Sequence, residues 1–523
     1  MRASLDALLL GRENKSSQSR KFNLSLLTAL PVRAALAAVG LAGGIMAQTE
    51  ETSAVPSFAR QTGYYCSTCH TAIPELTPFG RQFKLNGYTQ GGTRCGDIKR
   101  IFGNQDLNSQ EWTGANFSGW VLPTFTHTGK GALAPGNTNS GAPTYAQTPG
   151  YATNDNIDFS DASIFFNGQI YCNFGVFSQW SYSRPGNDIF MDNNDWRYTG
   201  KTKIAGNDVV WGIDANNNPT VQDVWNTVPA WVFPWVPQDL APGPKAGTMI
   251  EGTFGGRAAS TGAYVWVNNM FYAEFSAYRA YDQSILNATG SNPSDGTPRF
   301  DGTAPYWRVA VEKTWNENSF EVGTYGMYAA QQPTNATIGN VLPGIPSALA
   351  FGGATDKYLD VAVDAQYQYI GDIHAFTVRA YYIWENQKLD ATYFAGNLAG
   401  LNLANRSTEE LESFNASASY IYDRHISASV GYTSVTGTYD TAYWGTTNGK
   451  PDTQSILLDL AYIPYPYGGP DFWPWLNARI GITYTHYLKF NGVASNVDAT
   501  ANAPYVRNAS DFDTTFVYAW IDF

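Results

Sequence analysis

The sequence predicts an all-β fold: a sixteen-stranded transmembrane β-barrel with a small N-terminal plug that contains short helices. Three observations carry this. From about residue 114 to residue 523 the chain runs in segments of 10 to 14 residues that alternate polar with apolar positions, the period of strands with two unlike faces. Tight turns alternate along the chain with longer links rich in Gly, Pro, Asn and Thr, as they do when short turns lie on one side of a membrane and long loops on the other. Aromatic residues make up 15% of the 523 and charged residues only 15%, yet mean hydropathy is negative and no apolar run approaches 20 residues. That excludes a bundle of membrane helices.

Residues 1–47 read as an export leader. Arg2, Arg12, Lys15, Arg20, Lys21 and Arg33 precede an apolar stretch at 34–46, and Ala47 is a suitable last residue before cleavage. Ile45 matches the small-residue rule less well, which leaves room for a cut a few residues away. Removing the six basic and two acidic residues of this leader takes the formal net charge from −12 to about −16. A nucleic-acid backbone is thereby excluded as a default partner. Attraction of cations and plain solubility of exposed loops both fit.

Residues 48–112 form a second segment, too short and too poor in large aliphatic side chains for a core of its own. Thr77-Pro78 marks a helix start, because the hydroxyl caps free N–H groups and proline is tolerated in the first turn. Phe79 and Phe83, four apart, share one face of that helix, and Gly87 fits its stop. This segment is not expected to fold stably without a supporting wall.

Residues 113–523 form the barrel. A strand at 116–127 opens it, and seven pairs with tight turns follow. They are 158–170 with 174–185, 206–216 with 219–229, 260–268 with 270–280, and 304–315 with 318–331. Then come 357–370 with 373–386, 408–422 with 424–437, and 451–465 with 475–490. The turns include Cys172-Asn173, Asn216–Pro219, Asn268-Asn269, Glu317-Asn318 and Gly371-Asp372. Eight longer links lie near 128–157, 186–205, 230–259, 281–303, 332–356, 387–407, 438–450 and 491–510. A last strand at 511–523 ends on Phe523, a terminal aromatic suited to the closing strand of an exported barrel. Alternation also assigns faces: Val309 and Trp315 oppose Arg308 and Glu312, and Phe320, Val322 and Tyr328 oppose Glu321, Tyr325 and Met327. Charge on the lipid face costs several kcal/mol near mid-membrane, so the charged set lines the lumen.

One stretch of the second segment carries chemistry. Cys66-Ser67-Thr68-Cys69-His70 reads C-x-x-C-H, the attachment signature of a c-type haem. Its two thiols add to the vinyl groups, and His70 is placed to bind the iron from the proximal side. A redox C-x-x-C needs no following His, and a zinc site needs a fourth ligand. The pentad is flanked by Pro56-Ser-Phe-Ala-Arg-Gln-Thr-Gly63 and by Leu76-Thr-Pro-Phe-Gly-Arg-Gln-Phe-Lys-Leu-Asn-Gly-Tyr88. Over this stretch the chain resembles the fused monohaem cytochrome–porins of iron-oxidising bacteria. The resemblance implies one covalently bound haem c, an outer-membrane location and an extracellular Fe(II) donor. It further implies a periplasmic acceptor, a c-type cytochrome or a copper protein.

A single haem in the periplasm could not reach an external donor across an apolar band of about 25 Å. The economical arrangement places residues 48–112 inside the barrel, which at sixteen strands has room for a filling. The expected function is an outer-membrane electron conduit that oxidises Fe(II) and passes the electron inward. A porin or solute channel whose haem segment is a structural plug or sensor stays open as an alternative, as does a conduit run outward. No nucleotide-binding loop, hydrolase elbow or nuclease motif is present.

Arg60, Arg81 and Lys84 are candidates to pair with haem propionates, and they read equally well as a solvated surface. For the second axial position, residues 48–126 offer no His besides His70 and no Met. The iron is then five-coordinate, bound by water or Lys84, or ligated from the barrel. Met327, well inside a strand and on the lumen parity, is the best single barrel candidate, against the plain reading of methionine as a space-filler. Cys95 and Cys172 are the remaining cysteines and are expected to be bridged, with two free thiols as the alternative.

Overall fold

The computed structural model describes residues 56–91, 116–129, 155–183, 188–229, 240–252, 257–282, 299–333, 353–398, 400–469, 475–497 and 507–523, with isolated positions between. The expected leader and Cys95 lie outside the described residues. Three short helices come first: α1 (Pro56–Thr62), α2 (Cys66–Cys69) and α3 (Pro78–Leu85). The strands follow as β1 (Phe117–Thr128), β2 (Asp155–Tyr171), β3 (Phe174–Ser183), β4 (Asp188–Ile204), β5 (Asn207–Asn216), β6 (Ala258–Val267) and β7 (Phe271–Ala280). After them come β8 (Arg299–Asp301), β9 (Ala304–Trp315), β10 (Asn318–Gln332), β11 (Asp356–Ile370), β12 (His374–Lys388) and β13 (Thr408–Tyr422). The last four are β14 (Ile426–Gly437), β15 (Thr453–Tyr462), β16 (Asn477–Lys489) and β17 (Thr514–Asp522).

β8 and β9 both pair with β10 and form one stave interrupted at Gly302-Thr303, so seventeen strands make sixteen staves. Pairing is antiparallel throughout, and β1 pairs with both β2 and β17. The sheet is closed and has no free edge, which satisfies every stave's backbone from its neighbours. Register is tight where the turns are tight: Asn318 to Gln331 of β10 faces Tyr369 to Asp356 of β11 without a slip. Asn268 and Asn269 take φ of 53° and 52°, the left-handed pair that a two-residue hairpin needs to match strand twist.

The predicted faces are those of the structure. Val309, Trp315, Phe320 and Val322 are 42–50% exposed on the outer surface, while Arg308, Glu312, Glu321, Tyr325 and Met327 are buried in the lumen. Val363, Val378, Val430 and Leu458 continue the outer apolar belt on neighbouring staves. No helix among the described residues is long and apolar enough to cross a membrane; this chain crosses with strands.

Two strand assignments need correction. Residues 188–204, expected as a link, form β4, and residues 219–229, expected as a strand, form none. Every residue from 216 to 229 is buried, whereas a stave must alternate between lumen and lipid. The run Asn216-Asn217-Asn218-Pro219 stops β5, with Asn218 capping the N–H of Thr220 at 3.1 Å in the short helix α4 (Pro219–Gln222). The chain then turns into the lumen. One stave lost and one gained leave the count at sixteen.

Candidate functional site

The C-x-x-C-H pentad is a single helical turn held from three sides. His70 N donates to Cys66 O at 2.8 Å, closing the turn, and Ser67 N donates to Pro466 O at 3.0 Å, tying it to the link between β15 and β16. On the far side Thr77 caps α3 through Gly80 N and at the same time donates its hydroxyl to Thr68 O at 2.7 Å. One hydroxyl thus joins the start of α3 to the cysteine turn. Gly80 makes the joint possible: a Cβ there would lie 2.3 Å from Cys69 O.

Beyond His70 the loop 71–76 docks on the wall through Glu75. Its carboxylate accepts from Thr71 Oγ1 at 2.9 Å and Ser419 Oγ at 2.8 Å and lies 3.7 Å from Arg379 Nη2. Arg479 donates to Ile73 O. On α3, Arg81 is fully buried and donates to Glu312, Ser319 and Gln368 on three staves. Tyr88 donates to Asp195, and Leu85 O accepts from Tyr264 Oη at 2.7 Å. The helical segment therefore sits inside the ring of strands and contacts lumen-facing side chains around it.

Against this plug lies a cavity of about 1170 Å³, counting the part open to solvent. Cys66, Cys69 and His70 line it, with Phe58, Tyr64, Tyr65, Leu76 and Phe83 from the plug. Trp120, Phe165, Phe177 and Trp520 form an aromatic wall on the barrel side. The inward segment closes the cavity with Thr220, Val221, Asp223 and Asn226. Trp120 meets Phe165 and Trp520 edge-on, with centroids 4.8 and 4.7 Å away, a favoured aromatic geometry.

The chemistry of the donors follows from burial. Cys66 and Cys69 carry free thiols, and burial pushes the Cys69 thiol up to about 12. Burial likewise lowers His70 to about 4, against the opposing pull of the Pro74 and Glu75 backbone and the Glu75 charge. The ring is therefore neutral at physiological pH, the form that ligates a metal. Its Nδ1 is buried and unpartnered. A covalently attached haem asks for two free thiols one turn apart, a neutral imidazole beside them and an apolar slot, and these residues fit that group. Among the described residues, no three His, Cys, Asp or Glu side chains are grouped to hold a bare metal ion.

No family model matches the chain, and no curated protein matches it. Among solved structures it is similar to Salmonella typhi OmpF in complex with daunomycin, at 13% identity and a TM-score of 0.41, over 78% of this chain and 97% of that one. It is also similar to the anion-selective porin from Comamonas acidovorans, at 11% identity and 0.37, over 78% and 98%. The DcaP channel of Acinetobacter baumannii matches at 10% and 0.39, over 78% and 96%. This chain is a porin-like outer-membrane β-barrel. The closed strand order and the outer apolar belt establish that on their own.

The other site residues anticipated from sequence separate. Lys84 lines the cavity, and its ammonium donates to Val221 O and to Asp223 O, the latter at 2.8 Å. Arg81 does not line it, because its guanidinium is committed to Glu312. Arg60 donates to Phe117 O and lies 4.4 Å over the Trp475 ring, outside the cavity. Met327 faces the lumen as expected but packs with Ile250, Tyr306 and Tyr325 and does not border the cavity. The space-filling reading holds for it. Cys172 is in no disulfide among the described residues, and its expected partner, Cys95, lies outside them. The four other histidines pair with Asp155, Tyr420, the Asp423 carbonyl and Asp513, and none borders the cavity.

Sequence reasoning missed Asp223, Asn226 and the aromatic wall. Trp120 and Trp520 had the lumen parity, so alternation could have found them. The inward segment had no such signal while 219–229 passed for a strand.

Proposed function

We propose that this chain is an outer-membrane electron-transfer protein in which one haem c is held within the barrel, accepting electrons from Fe(II) outside the cell. A periplasmic c-type cytochrome or copper protein would receive them. The observation that supports this best is the C-x-x-C-H turn itself: Cys66 and Cys69, neither in a disulfide, and a neutral His70 on an apolar cavity inside the lumen. Haem bound there supplies a one-electron centre. The protein's own residues hold and shield it. Cys66 and Cys69 would form the thioethers and His70 the proximal bond. The aromatic wall excludes water, and Lys84 places the one cation on the cavity's lining, where it can face a propionate. Among the described residues that line the cavity, none is a second His or a Met.

Two measurements test this. Haem should stay with the polypeptide through acidified organic extraction in the parent protein and be lost in Cys66→Ser/Cys69→Ser. Mixing the purified protein with Fe(II) in a stopped-flow cell should convert the oxidised haem spectrum to the reduced one. Extractable haem, or a spectrum unmoved by Fe(II), would overturn the reading.

A second reading, a solute channel with a structural plug, is favoured by one observation. The wall is a closed ring of sixteen antiparallel staves with its polar side chains facing inward, the architecture of a porin. Conductance of the purified barrel in planar bilayers separates the two.

A further inference from the structure

A row of buried aromatic side chains leads from the cavity beside His70 toward the middle of the barrel. It starts at Tyr88, which follows α3 and lines that cavity. The Tyr88 ring stacks on Phe58 at 5.3 Å. The Arg197 guanidinium on β4 comes next, 5.8 Å from the Tyr88 ring and 5.2 Å from the ring of Tyr264 on β6, both within cation–π range. Tyr264 lies 5.9 Å from Tyr272 on β7, and Tyr272 lies 5.3 Å from Trp225 in the inward segment. Arg308 then stands 4.8 Å from Trp225 and 5.3 Å from Tyr325, midway along β10. The rings from Tyr88 to Tyr325 are all 3% exposed or less.

Phenol and indole rings give up a single electron more readily than most side chains, and the hydroxyl partners decide which phenol of the row can do so. An oxidised phenol is a strong acid, and a charge left on it away from water is costly. It therefore needs a proton acceptor within hydrogen-bond reach. Tyr88 donates to Asp195, and Tyr272 donates to Glu274 Oε2 at 2.9 Å. Tyr264 and Tyr325 donate instead to main-chain carbonyls, Leu85 O at 2.7 Å and Thr227 O at 3.1 Å, which are far weaker bases than carboxylates. The row thus offers two places where a phenoxyl can be held, one on the cavity and one deeper, joined through Arg197 and Tyr264.

We propose that this row gives electrons to a haem in the cavity when hydrogen peroxide reaches it, Tyr88 first and Tyr272 second. The proposal rests on the haem reading above. Fe(II) in contact with dioxygen produces peroxide, so a haem fed by Fe(II) meets it. The peroxide O–O bond breaks and takes up two electrons and two protons, leaving two waters. Each tyrosine loses one electron and one proton and becomes a neutral phenoxyl, the protons passing first to Asp195 and Glu274. One peroxide and two tyrosines thus become two waters and two phenoxyls. The oxidising equivalents thereby leave the cavity that holds the Cys66 and Cys69 sulfurs and the aromatic wall.

The test is EPR spectroscopy of the detergent-solubilised, haem-loaded full-length protein, freeze-quenched after mixing with hydrogen peroxide, with signals scaled to haem content. A free-radical signal is expected. In protein made with ring-deuterated tyrosine it should narrow, because ring protons set its width. Tyr88→Phe should lower the signal per haem severalfold. Tyr64→Phe/Tyr65→Phe removes the two exposed phenols on the same cavity and should leave the signal unchanged. Deuteration and this pair decide even where Tyr88→Phe fails to fold. A signal that does not narrow, that survives Tyr88→Phe or that is lost with Tyr64 and Tyr65 would overturn the proposal, as would no radical in protein whose haem is attached. Polypeptide without attached haem would overturn the proposed function as well, and the visible spectrum tells the two failures apart.

Discussion

At the scale of residues, the plug is held by a few buried polar contacts. Arg81 shows how much one of them carries. Its guanidinium reaches Glu312 Oε1 at 2.5 Å with both side chains 3% exposed or less. Removing one member of such a pair strands the other charge, at a cost of about 3–5 kcal/mol, whereas removing both is often close to neutral. Arg81→Met should therefore release the plug to protease near residues 76–91, and Arg81→Met/Glu312→Gln should largely restore protection. Protection that falls equally in both would mean the ion pair is not what docks α3. Gly80→Ala tests the joint between α3 and the cysteine turn. With a Cβ 2.3 Å from Cys69 O, one of them must shift, and haem incorporation measured against total protein should drop severalfold. Lys84 gives a pH dependence whose sign can be worked out. Burial lowers it to about 8 in the docked plug, from an ordinary value near 10.5. Between those two values the undocked plug binds more protons than the docked one, so docking strengthens as pH rises from about 8 to 10.5. Hydrogen exchange in α3 should slow across that window after correction for intrinsic rates, and the trend should vanish in Lys84→Met.

At the scale of elements, the inward segment is what the strand pattern concealed. Fifteen other barrel strands were legible because alternation reports two unlike environments, lipid and lumen, at each successive residue; Arg308 beside Val309 is enough to orient β9. Residues 216–229 have one environment on all sides, and their mixture of Val, Trp, Thr and Asn imitates an alternating strand by accident. The misreading of 188–204 followed from it, since Asp188 to Asn194 sets Ile189-Phe190-Met191 and Asp192-Asn193-Asn194 in blocks rather than in alternation, and the outer face is marked by Trp196, Tyr198 and Ile204, 45%, 48% and 60% exposed. The cysteine motif could be picked out because its residue spacing is fixed, and the structure gives it as a single helical turn. The supporting cations could not, because a charge near the motif in sequence says nothing of whether a wall carboxylate captures it first, as Glu312 does Arg81. The segment's anchor is Trp225, 1% exposed, whose Nε1 donates to Glu312 Oε2 at 2.8 Å while Arg308 lies 4.8 Å over its ring. Trp225→Ala should cost about 3–5 kcal/mol, the usual range for truncating a buried aromatic, read as a lower midpoint of heat-induced migration in detergent. Trp225→Phe keeps most of the packing and should recover more than half of the loss.

At the scale of the molecule, the question is what the lumen lets through. A water-filled sixteen-stranded barrel keeps its inner wall wet. Here Arg81, Arg197, Arg308 and Arg479 rank among the most deeply buried side chains of the chain. Arg308 is enclosed by Asp223 at 3.6 Å, Glu321 at 3.3 Å and Asp364 at 2.6 Å, all at 0–1% side-chain exposure. Charges pulled this far from water are tolerated only when paired, and the pairing here knits the inward segment to β9, β10 and β11. Plug and segment together occupy much of the lumen at that level, so the barrel should conduct poorly despite its sixteen staves. Purified protein in a planar bilayer is expected to show little or no stepwise current. Deleting residues 56–91 removes the plug's side of this filling, along with the partners of Glu312, Asp195 and Arg479. The deletion should then show discrete openings, while Arg308 and the inward segment still hold the current below that of an unobstructed barrel of this size. A full porin-like conductance in the unaltered protein would contradict the closed lumen, and with it the case for electrons rather than solutes as what crosses.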